Sequence, residues 1–339
     1  MKIAINGLGR IGKTFLRTLL EQSNRVPDIV PVALNIGPAC LETLVTTIKY
    51  DSIMGPLSKK YEIAFNGTKL QIGSWKIEIL QETDPQKLPW QTLGIDWVVE
   101  CSGFFTKRAD ASKHLAAGAR NVLISAPAHE PDYTIIPGVN DQSHLPAYGQ
   151  IISLGSCTTN AIAPLLKVLL GVISVEAVHL VTTHAYTNTQ ALLDSIPTTT
   201  KDVRKFRAAA SNIIPGETGA GNLMGEIFPQ LAGKTSALAL RVPVANVSLV
   251  ELTWQSASSI NATELLNAYK NAAAKSLAGI LDVTYDPVVS SDFIGSSYSV
   301  TLDAPLLTAT KTMGSMFGWY DNEYGYSNRL VDFLVSQLR

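Results

Sequence analysis

Charged residues are scarce in this sequence. Only 16% of the 339 residues are Asp, Glu, Lys or Arg, whereas roughly a quarter is usual in soluble domains. The 27 basic and 28 acidic residues almost cancel, leaving a formal net charge of −1. This balance argues against nucleic acid or an anionic membrane as the partner. The low charge indicates either large subunit interfaces or a surface rich in uncharged polar residues.

Cysteines and long apolar stretches are also few. Cys40, Cys101 and Cys157 lie far apart, which argues against a disulfide framework and a cysteine-based metal site, and favours a reducing compartment. The longest apolar stretch, 161–178, contains a proline and two charged residues, so it is too interrupted to cross a bilayer. A glycine turn comes within seven residues of the N-terminus, leaving no room for a signal peptide. We therefore expect a soluble, cytoplasmic protein with no metal.

The length favours two domains. The first half alternates strand-like and helix-like segments, which predicts a parallel sheet flanked by helices. An alternating segment around Asn66-Gly67 predicts a hairpin beside it. The predicted strands are 2–6, 29–34, 97–100, 121–125 and 150–154, and the predicted helices are 10–22 and 109–117.

The second half has a different character. A long apolar helix is predicted at 157–170, and Asn261 and Glu264 stand at capping-box spacing before a helix at 262–277. Wide β-like runs are predicted at 175–183, 236–241, 247–255 and 297–303. This half therefore indicates an α+β domain with a mixed or antiparallel sheet.

A glycine motif follows the first predicted strand and opens the first helix. In such a turn Gly7 allows the tight bend, Gly9 lets a pyrophosphate approach the backbone, and Gly12 lets helix and strand pack closely. The helix N-terminus adds free N–H groups and partial positive charge. The motif predicts dinucleotide binding in a Rossmann domain, a doubly wound parallel sheet, with a purely structural turn as the alternative.

The second strand lacks the acidic residue that usually holds the adenosine ribose. It ends in Asn35, Ile36 and Gly37. Either Asn35 binds the ribose more weakly, or the pocket accepts a 2′-phosphate. The cofactor is therefore NAD or NADP.

Cys157 stands between a strand and an apolar helix. A thiol at a helix N-terminus is stabilised as thiolate, which lowers its pKa and makes it a nucleophile. The alternative, a buried and inert cysteine, is the interpretation we favour for Cys40 and Cys101.

Five histidines compete for the role of base. His184 ends a strand where a loop begins, a position that exposes side chains to a cleft. His179, within the same strand, is expected to be packed in the core or at an interface. The others are His114, His129 and His144.

Several motifs together are more specific than any one of them. Their order along the whole chain resembles that of the phosphorylating glyceraldehyde-3-phosphate dehydrogenases, which are close to the erythrose-4-phosphate dehydrogenases. The motifs are Gly-Leu-Gly-Arg-Ile-Gly at 7–12, Lys-Tyr-Asp-Ser at 49–52, Ser-Ala-Pro-Ala at 125–128, Ser-Cys-Thr-Thr-Asn at 156–160, His-Ala-Tyr-Thr-Asn at 184–188, Thr-Gly-Ala at 218–220, Arg-Val-Pro at 241–243 and Trp-Tyr-Asp-Asn-Glu-Tyr-Gly-Tyr-Ser at 319–327.

The resemblance implies oxidation of D-glyceraldehyde 3-phosphate with NAD(P) and inorganic phosphate to 1,3-bisphosphoglycerate, in glycolysis or gluconeogenesis. Cys157 forms a thiohemiacetal with His184 as base, and an acyl thioester follows. A homotetramer is implied, with an arm over 195–211 at an interface. The implied domains are a dinucleotide-binding domain at 1–156, a helix at about 322–339 packing back on it, and a catalytic domain at 157–321.

Further site residues are implied by the same resemblance. Thr187 and Arg241 hold the substrate phosphate, and the attacking phosphate is bound by Ser156, Thr158, Thr218 and Gly219. Contacts with the cofactor come from Arg10, Ile11, Ser125, Asn322 and Tyr326.

The sequence also departs from the family pattern. Ile36 stands where an Asp holds the ribose, so use of both cofactors is expected. The other departures are Leu154-Gly155 before the Ser-Cys core, Ala161 for a second cysteine, Thr189 for an Asp, and Lys205 for an Arg. These changes leave two alternatives open, an erythrose-4-phosphate dehydrogenase and a degenerate dinucleotide-binding paralogue with a regulatory role. The Thr-Gly-Ala segment favours the three-carbon, phosphorylating enzyme.

Overall fold

The computed structural model describes residues 1–141, 150–197 and 202–338. The chain divides into two compact units. Unit 1 comprises residues 1–137, 141–156 and 327–339, and unit 2 comprises 138–140 and 157–326. His144 and part of the predicted arm, 198–201, lie outside the described residues.

Unit 1 is built on a nine-stranded sheet in the order β3-β4-β5-β2-β1-β6-β7-β9-β8. The strands from β5 to β8 along this order are parallel, and β3 and β4 form an antiparallel edge. The order reverses direction at β1 and β6, which is where doubly wound sheets bind ligands. The strands are β1 (Lys2–Asn6), β2 (Val30–Asn35), β3 (Ile63–Phe65), β4 (Lys69–Ile72), β5 (Trp75–Leu80), β6 (Trp97–Glu100), β7 (Asn121–Ile124), β8 (Tyr133–Thr134) and β9 (Ile151–Ser153).

Four helices of unit 1 lie along the chain between these strands: α1 (Arg10–Glu21), α2 (Leu44–Lys49), α3 (Trp90–Leu93) and α4 (Arg108–Ala116). The inner strands are buried along their length because helices cover them, and β1, β6 and β7 carry apolar residues with 0% exposure. The predicted hairpin at Asn66-Gly67 is confirmed. Asn66 Oδ1 accepts the backbone N–H groups of Thr68 and Lys69, and Gly67 takes a φ of +97°.

Unit 2 is built on an eight-stranded mixed sheet, whose main path is β11-β12-β10-β13-β17-β15-β14, with β16 paired to β17. Asn261 caps α7 by accepting the N–H of Thr263 at 2.7 Å. The strands are β10 (Val175–Ala185), β11 (Ile214–Gly216), β12 (Thr235–Val242), β13 (Ser248–Ser256), β14 (Leu281–Thr284), β15 (Val300–Asp303), β16 (Thr308–Thr310) and β17 (Met313–Tyr320), and the helices are α5 (Cys157–Val172), α6 (Ala220–Ile227) and α7 (Ala262–Ala274).

The predicted fold class, α/β with a Rossmann sheet and a second α+β sheet, is confirmed. The pattern missed the central strand β17, because glycines interrupt its apolar alternation. The reason lies in the packing: a Cβ at Gly314 would collide with the ring of Trp254, and one at Gly318 with Val300. Among the described residues, no helix is long and apolar enough to span a membrane.

The last helix, α8 (Tyr324–Ser336), ends in unit 1. The Phe333 ring meets that of Trp97 edge to face at 5.4 Å. Arg25 donates to Asp332 at 2.6 Å. The segment after Tyr326 therefore belongs to the core and surface of the N-terminal unit.

Candidate active site and cofactor-binding residues

The glycine turn after β1 has the geometry that the motif predicts. Gly7 adopts a φ of +99°, and a Cβ on it would lie 2.6 Å from the Ser102 backbone. A Cβ on Gly12 would collide with the carbonyl of Gly7. Both positions therefore require glycine, one for its backbone conformation and both for space.

The N-terminus of α1 has no side-chain cap. Gly9 is its N-cap, provides no side-chain cap, and has nothing within 4 Å of where a Cβ would stand. The first turn contains no acidic residue, so its N–H groups and partial positive charge are not neutralised there. Ile11 follows in the same turn and is partly exposed. These features fit the pyrophosphate of a dinucleotide.

Arg10 is held by a buried carboxylate. Its Nη1 donates to Asp51 Oδ2 at 2.7 Å, and Lys13 Nζ lies 2.9 Å from the same oxygen. Burial alone would raise the pKa of Asp51, but the two cations and the N–H groups of Ile53 and Met54 lower it well below its usual range. Arg10 is therefore pinned beside the glycine turn by a carboxylate that stays ionised.

The side chain of Asn35 is engaged in hydrogen bonds within its own chain. Its Nδ2 donates to Asn6 Oδ1 at 2.6 Å and to the Glu82 carbonyl at 2.9 Å, and its Oδ1 accepts the Glu82 N–H at 2.9 Å. Asn35 is 4% exposed and Ile36 is 7% exposed. Both amide hydrogens of Asn35 are therefore already used, and its role as a ribose ligand stays a prediction that depends on Oδ1.

Below the glycine turn lies a buried carboxylate, Glu100, at the end of β6. It accepts hydrogen bonds from Asn6 Nδ2 at 2.5 Å and from the Ser102 N–H at 2.6 Å. His114 Nε2 lies 3.1 Å from the same carboxylate. Ser125, predicted near the nicotinamide ribose, donates its hydroxyl to the Glu100 carbonyl at 2.8 Å. These bonds fix the carboxyl ends of β1, β6 and β7, where the cofactor is expected.

In unit 2, Cys157 and His184 meet. Cys157 is the first residue of α5 and His184 is the penultimate residue of β10. The Cys157 Sγ lies 3.5 Å from His184 Nε2. The predicted nucleophile and base are thus within hydrogen-bonding distance.

The orientation of the imidazole is fixed from behind. His184 Nδ1 lies 2.7 Å from the carbonyl oxygen of Ala185. A carbonyl can only accept, so Nδ1 carries the hydrogen and Nε2 presents its lone pair to the thiol. Arg241 stands opposite His184 in the β10–β12 register and donates Nη1 to the same carbonyl at 3.2 Å.

Burial sets the charge state of this pair. It lowers the pKa of His184 to about 3, and the positive charge of Arg241 acts in the same direction. Burial raises the pKa of the Cys157 thiol, while Arg241 and hydrogen bonds with Thr158 oppose that rise. The net direction is opposite to the thiolate stabilisation expected at a helix N-terminus, because desolvation outweighs it. Both directions favour the neutral forms, a thiol beside a neutral imidazole.

Tyr320, for which the sequence predicted no role, contacts the His184 ring and Thr158, the residue after Cys157. Its hydroxyl lies 3.0 Å from Thr158 Oγ1 and 2.8 Å from Thr182 Oγ1, and its ring meets the His184 ring edge to face. Its place in the Trp-Tyr-Asp-Asn motif was the available signal. The Thr158 hydroxyl, predicted to bind phosphate, is thus engaged with a phenol.

Asn322 lies in the loop after β17 and is 6% exposed. Its Oδ1 accepts the hydroxyl of Ser248 at 3.0 Å. Sequence reasoning missed Ser248, since a serine opening a strand carries no pattern. Tyr326, the other predicted nicotinamide contact, is 4% exposed in the first turn of α8.

The remaining predicted phosphate ligands lie on separate elements. Thr187 Oγ1 is 3.0 Å from Thr189 Oγ1. Thr189 stands where the family has an Asp, so a pair of hydroxyl groups takes the place of a charge. Thr218 Oγ1 accepts the Ala220 N–H at 3.3 Å, next to Gly219, the N-cap of α6. Ser156 directly precedes Cys157 and is partly exposed.

Cys40 and Cys101 were both predicted to be buried and inert, and the prediction is wrong for the burial of Cys40. Burial raises the pKa of Cys101 to about 12, which agrees with the inert thiol expected there. Cys40 is exposed rather than buried, with its Sγ 2.9 Å from Glu42 Oε2.

Two of the other histidines are on the surface. His179 is exposed and bonded to Ser236 at 2.7 Å, so the core alternative for it was wrong. His129 is also exposed.

Two family models match the N-terminal and C-terminal parts of the chain. The family model for the glyceraldehyde 3-phosphate dehydrogenase NAD binding domain matches residues 1–108, and that for the C-terminal domain matches residues 156–322. The chain belongs to the glyceraldehyde-3-phosphate dehydrogenase family. The predicted family is therefore confirmed, and the protein is an oxidoreductase whose cofactor is NAD(P).

Curated relatives agree over nearly their full length. The chain is 43% identical to glyceraldehyde-3-phosphate dehydrogenase 2 of Streptomyces avermitilis, covering 99% of this chain and 98% of the relative. It is 44% identical to glyceraldehyde-3-phosphate dehydrogenase 1 of Bacillus subtilis, covering 98% and 96%. The match to the enzyme of Streptomyces coelicolor is 44%, covering 99% and 98%.

Proposed function

We propose that Cys157 and His184 oxidise the aldehyde of D-glyceraldehyde 3-phosphate and pass its acyl group to inorganic phosphate, giving 1,3-bisphosphoglycerate. The observation that carries this proposal is the geometry of the pair: Sγ lies 3.5 Å from a histidine nitrogen whose hydrogen is on the opposite side of the ring. A thiol beside such an acceptor can lose its proton as it attacks a carbonyl.

The steps follow from these positions. Sγ bonds to the carbonyl carbon, and the thiol proton passes by way of His184 Nε2 to the carbonyl oxygen, giving a neutral thiohemiacetal. A bound NAD(P) would supply the hydride acceptor for that carbon. As the hydride leaves, His184 Nε2 takes the hydroxyl proton and the C=O bond forms again, leaving an acyl thioester on Cys157. A phosphate oxygen then bonds to the acyl carbon, the C–S bond breaks, and the leaving sulfur takes the proton from His184, which gives the acyl phosphate and the free thiol.

The anionic groups need positive charge and donors near Cys157. Arg241 contributes its planar fork beside Ala185, and we assign the substrate phosphate to it together with Thr187. The attacking phosphate is assigned to the N-termini of α5 and α6, through Ser156, Thr158, Thr218 and Gly219. The Thr158 hydroxyl is shared with Tyr320, so its backbone N–H is the group we expect to serve.

The family resemblance supplies the domain boundaries and the cofactor-binding residues that we propose. We propose residues 1–156, with the helix at about 322–339, as the dinucleotide-binding domain, and 157–321 as the catalytic domain. Gly7, Gly9, Arg10, Ile11 and Gly12 hold the pyrophosphate, Ser125 lies near the nicotinamide ribose, and Asn322 and Tyr326 contact the nicotinamide. Asn35 braces β1 against the segment after β5, and we propose that its Oδ1 is also a weak acceptor for the adenosine ribose. Because Ile36 brings no carboxylate to this edge, we expect both NAD and NADP to be used.

One set of assays tests the function. Glyceraldehyde 3-phosphate is supplied with NAD or NADP, each with and without phosphate, and erythrose 4-phosphate is compared under the same conditions. Phosphate-dependent turnover of the three-carbon aldehyde is expected with both cofactors. Faster, phosphate-independent oxidation of the four-carbon sugar contradicts the proposal, and background turnover with NADP contradicts the dual cofactor use.

We also propose a homotetramer in the cytoplasm. The low charge of the sequence and the exposed side chains of Leu192, Leu193 and Ile196, each at least 75% exposed, support an interface that includes the described part of the arm. The three free cysteines fit a reducing compartment. Sedimentation that shows a stable monomer contradicts the tetramer.

A further inference from the structure

A single buried hydroxyl in unit 2 joins the catalytic base to the proposed nicotinamide contact. Ser248, the first residue of β13, is 1% exposed. Its Oγ accepts the Ala185 N–H at 3.1 Å and donates to Asn322 Oδ1 at 3.0 Å. The carbonyl of the same Ala185 accepts the His184 Nδ1 hydrogen. One serine therefore links the residue that orients the imidazole to the amide of Asn322.

The backbone on both sides of Asn322 is fixed independently. Asp321 Oδ1 accepts the N–H groups of Glu323 and Tyr324 at 2.9 and 2.8 Å, and Oδ2 accepts the Gly295 N–H at 2.8 Å. Asn246 Nδ2 donates to Oδ2 at 3.0 Å. With the loop held in this way, the remaining freedom at position 322 is rotation of the side-chain amide.

The hydrogen-bonding capacity of Ser248 selects one orientation of that amide. A serine hydroxyl has one hydrogen to donate and two lone pairs. The Ala185 N–H occupies one lone pair, and the hydroxyl hydrogen goes to Asn322 Oδ1. Oδ1 is thereby held against Ser248, and Nδ2 is turned away from it.

We propose that Ser248 is a positioning residue for the nicotinamide. It holds the Asn322 Nδ2 hydrogens ready for the carbonyl oxygen of the cofactor carboxamide, and through Ala185 it sets their distance from the imidazole of His184. This inference rests on the proposed contact between Asn322 and the cofactor. It assigns the orientation of that contact to a residue that touches neither substrate nor cofactor.

Calorimetric binding of two probes tests the inference: NAD, and ADP-ribose, which lacks the nicotinamide. Ser248→Ala is expected to weaken NAD binding about fivefold, the scale of one hydrogen bond. The affinity for ADP-ribose should not change, because that probe makes no use of Asn322. A general loss of structure would weaken both probes equally, and that outcome overturns the proposal.

A double variant and a control complete the test. Asn322→Ala should also weaken NAD binding about fivefold, and Ser248→Ala should add nothing in that background. Multiplied losses, or an unchanged NAD affinity in Ser248→Ala, overturn the proposal. The control is Ser256→Ala at the far end of β13, where an equally buried hydroxyl donates to the Ser258 carbonyl at 2.8 Å. It should bind both probes as the wild type does.

Two further results separate this inference from the proposed function. Ser248→Cys, whose thiol is a weak donor, replaces the alanine variant if that variant does not fold, and the same split between NAD and ADP-ribose is expected. Failure of the wild-type chain to bind NAD overturns the proposed cofactor site and this inference together. NAD binding by the wild type with no split in the variants overturns this inference alone.

Discussion

Unit 1 and unit 2 each bury a histidine, and the two imidazole rings have different hydrogen-bond partners. His114, with 0% exposure, accepts the Trp90 Nε1–H on Nδ1 at 3.0 Å and directs Nε2 to Glu100. His184, with 4% exposure, gives its Nδ1 hydrogen to a carbonyl and directs Nε2 to the Cys157 thiol. Both ring nitrogens of His114 are hydrogen-bonded to structural partners. In His184, Nε2 instead faces the Cys157 thiol, which can give up a proton.

The cysteines repeat the contrast. Burial and the Glu100 carboxylate raise the pKa of Cys101, directly after β6, to about 12, against an opposing contribution from Ser125. Cys157 is also desolvated, yet it has an acceptor in His184 and the nearby charge of Arg241. Burial alone therefore does not distinguish Cys101 and His114 from the proposed catalytic residues. The difference lies in the group that faces the titrating atom.

The largest effect is expected from the nucleophile. Cys157→Ser should lower aldehyde oxidation by about 10⁵-fold or more, the scale seen when a nucleophile acting as a unit with its base is removed. The matched change Cys101→Ser should leave kcat within about twofold, since this thiol has no part in the proposed steps. Steady-state assays on both proteins make the comparison. Substantial turnover by Cys157→Ser would remove the assigned nucleophile.

The two histidines should separate next. His184→Asn should lower kcat by about 10²- to 10⁴-fold, because the thiol loses its proton acceptor. His114→Asn should leave kcat nearly unchanged but lower the free energy of unfolding by about 1–3 kcal/mol, since Trp90 and Glu100 each lose a buried partner. Kinetics and urea unfolding measure the two effects. Equal losses of kcat in both variants would contradict separate roles for the two histidines.

Alkylation by iodoacetamide sharpens the same contrast in the resting protein. Cys157 should react faster than Cys40 or Cys101, with Cys101 slowest because its burial disfavours the thiolate. In His184→Asn the Cys157 rate should fall by about tenfold or more, since general-base assistance is lost. Peptide mapping of label against time gives the three rates. Equal labelling at all three cysteines contradicts a reactive Cys157.

The smallest effect concerns acid stability in unit 1. The pKa of Asp51 is lowered in the folded state, so its stabilisation is complete at neutral pH and is lost as the pH falls below the ordinary carboxyl range. Asp51→Asn should lower the free energy of unfolding at pH 7 by about 1–3 kcal/mol. The loss should shrink as the pH falls below about 4, because Asp51 then takes up a proton in the unfolded chain while it stays ionised in the folded one. Unfolding curves at several pH values test this, and a loss independent of pH argues against the ion pairs as its source.

The sequence predicted the parts of the molecule whose signals are local. The Gly7 turn, the Asn66 hairpin, the Asn261 cap and the inner strands each depend on neighbours a few residues apart, and each was found. The strand ending at Tyr320 was missed, because its glycines are explained only by Trp254 and Val300 in other parts of the chain.

The site shows the same division. Cys157 and His184 were predicted from their places at element ends and from the family motifs. The bonds that tune them were not predictable: Ser248 carries no motif, and the engagement of Asn35 depends on Asn6 and on the backbone of Glu82. The net direction of the Cys157 pKa depends on how deeply the thiol is buried, which no local pattern reports.

The path of α8 has a consequence for the order of events during synthesis. The residues from Ser327 onward supply Phe333 and Asp332 to unit 1, but they are made after all of unit 2. At roughly 5–20 residues per second, the ribosome needs about 10–30 s to pass from residue 156 to residue 327. Throughout that interval the nascent N-terminal sheet lacks its last helix. The surface around Trp97 is therefore exposed to solvent or covered by a chaperone.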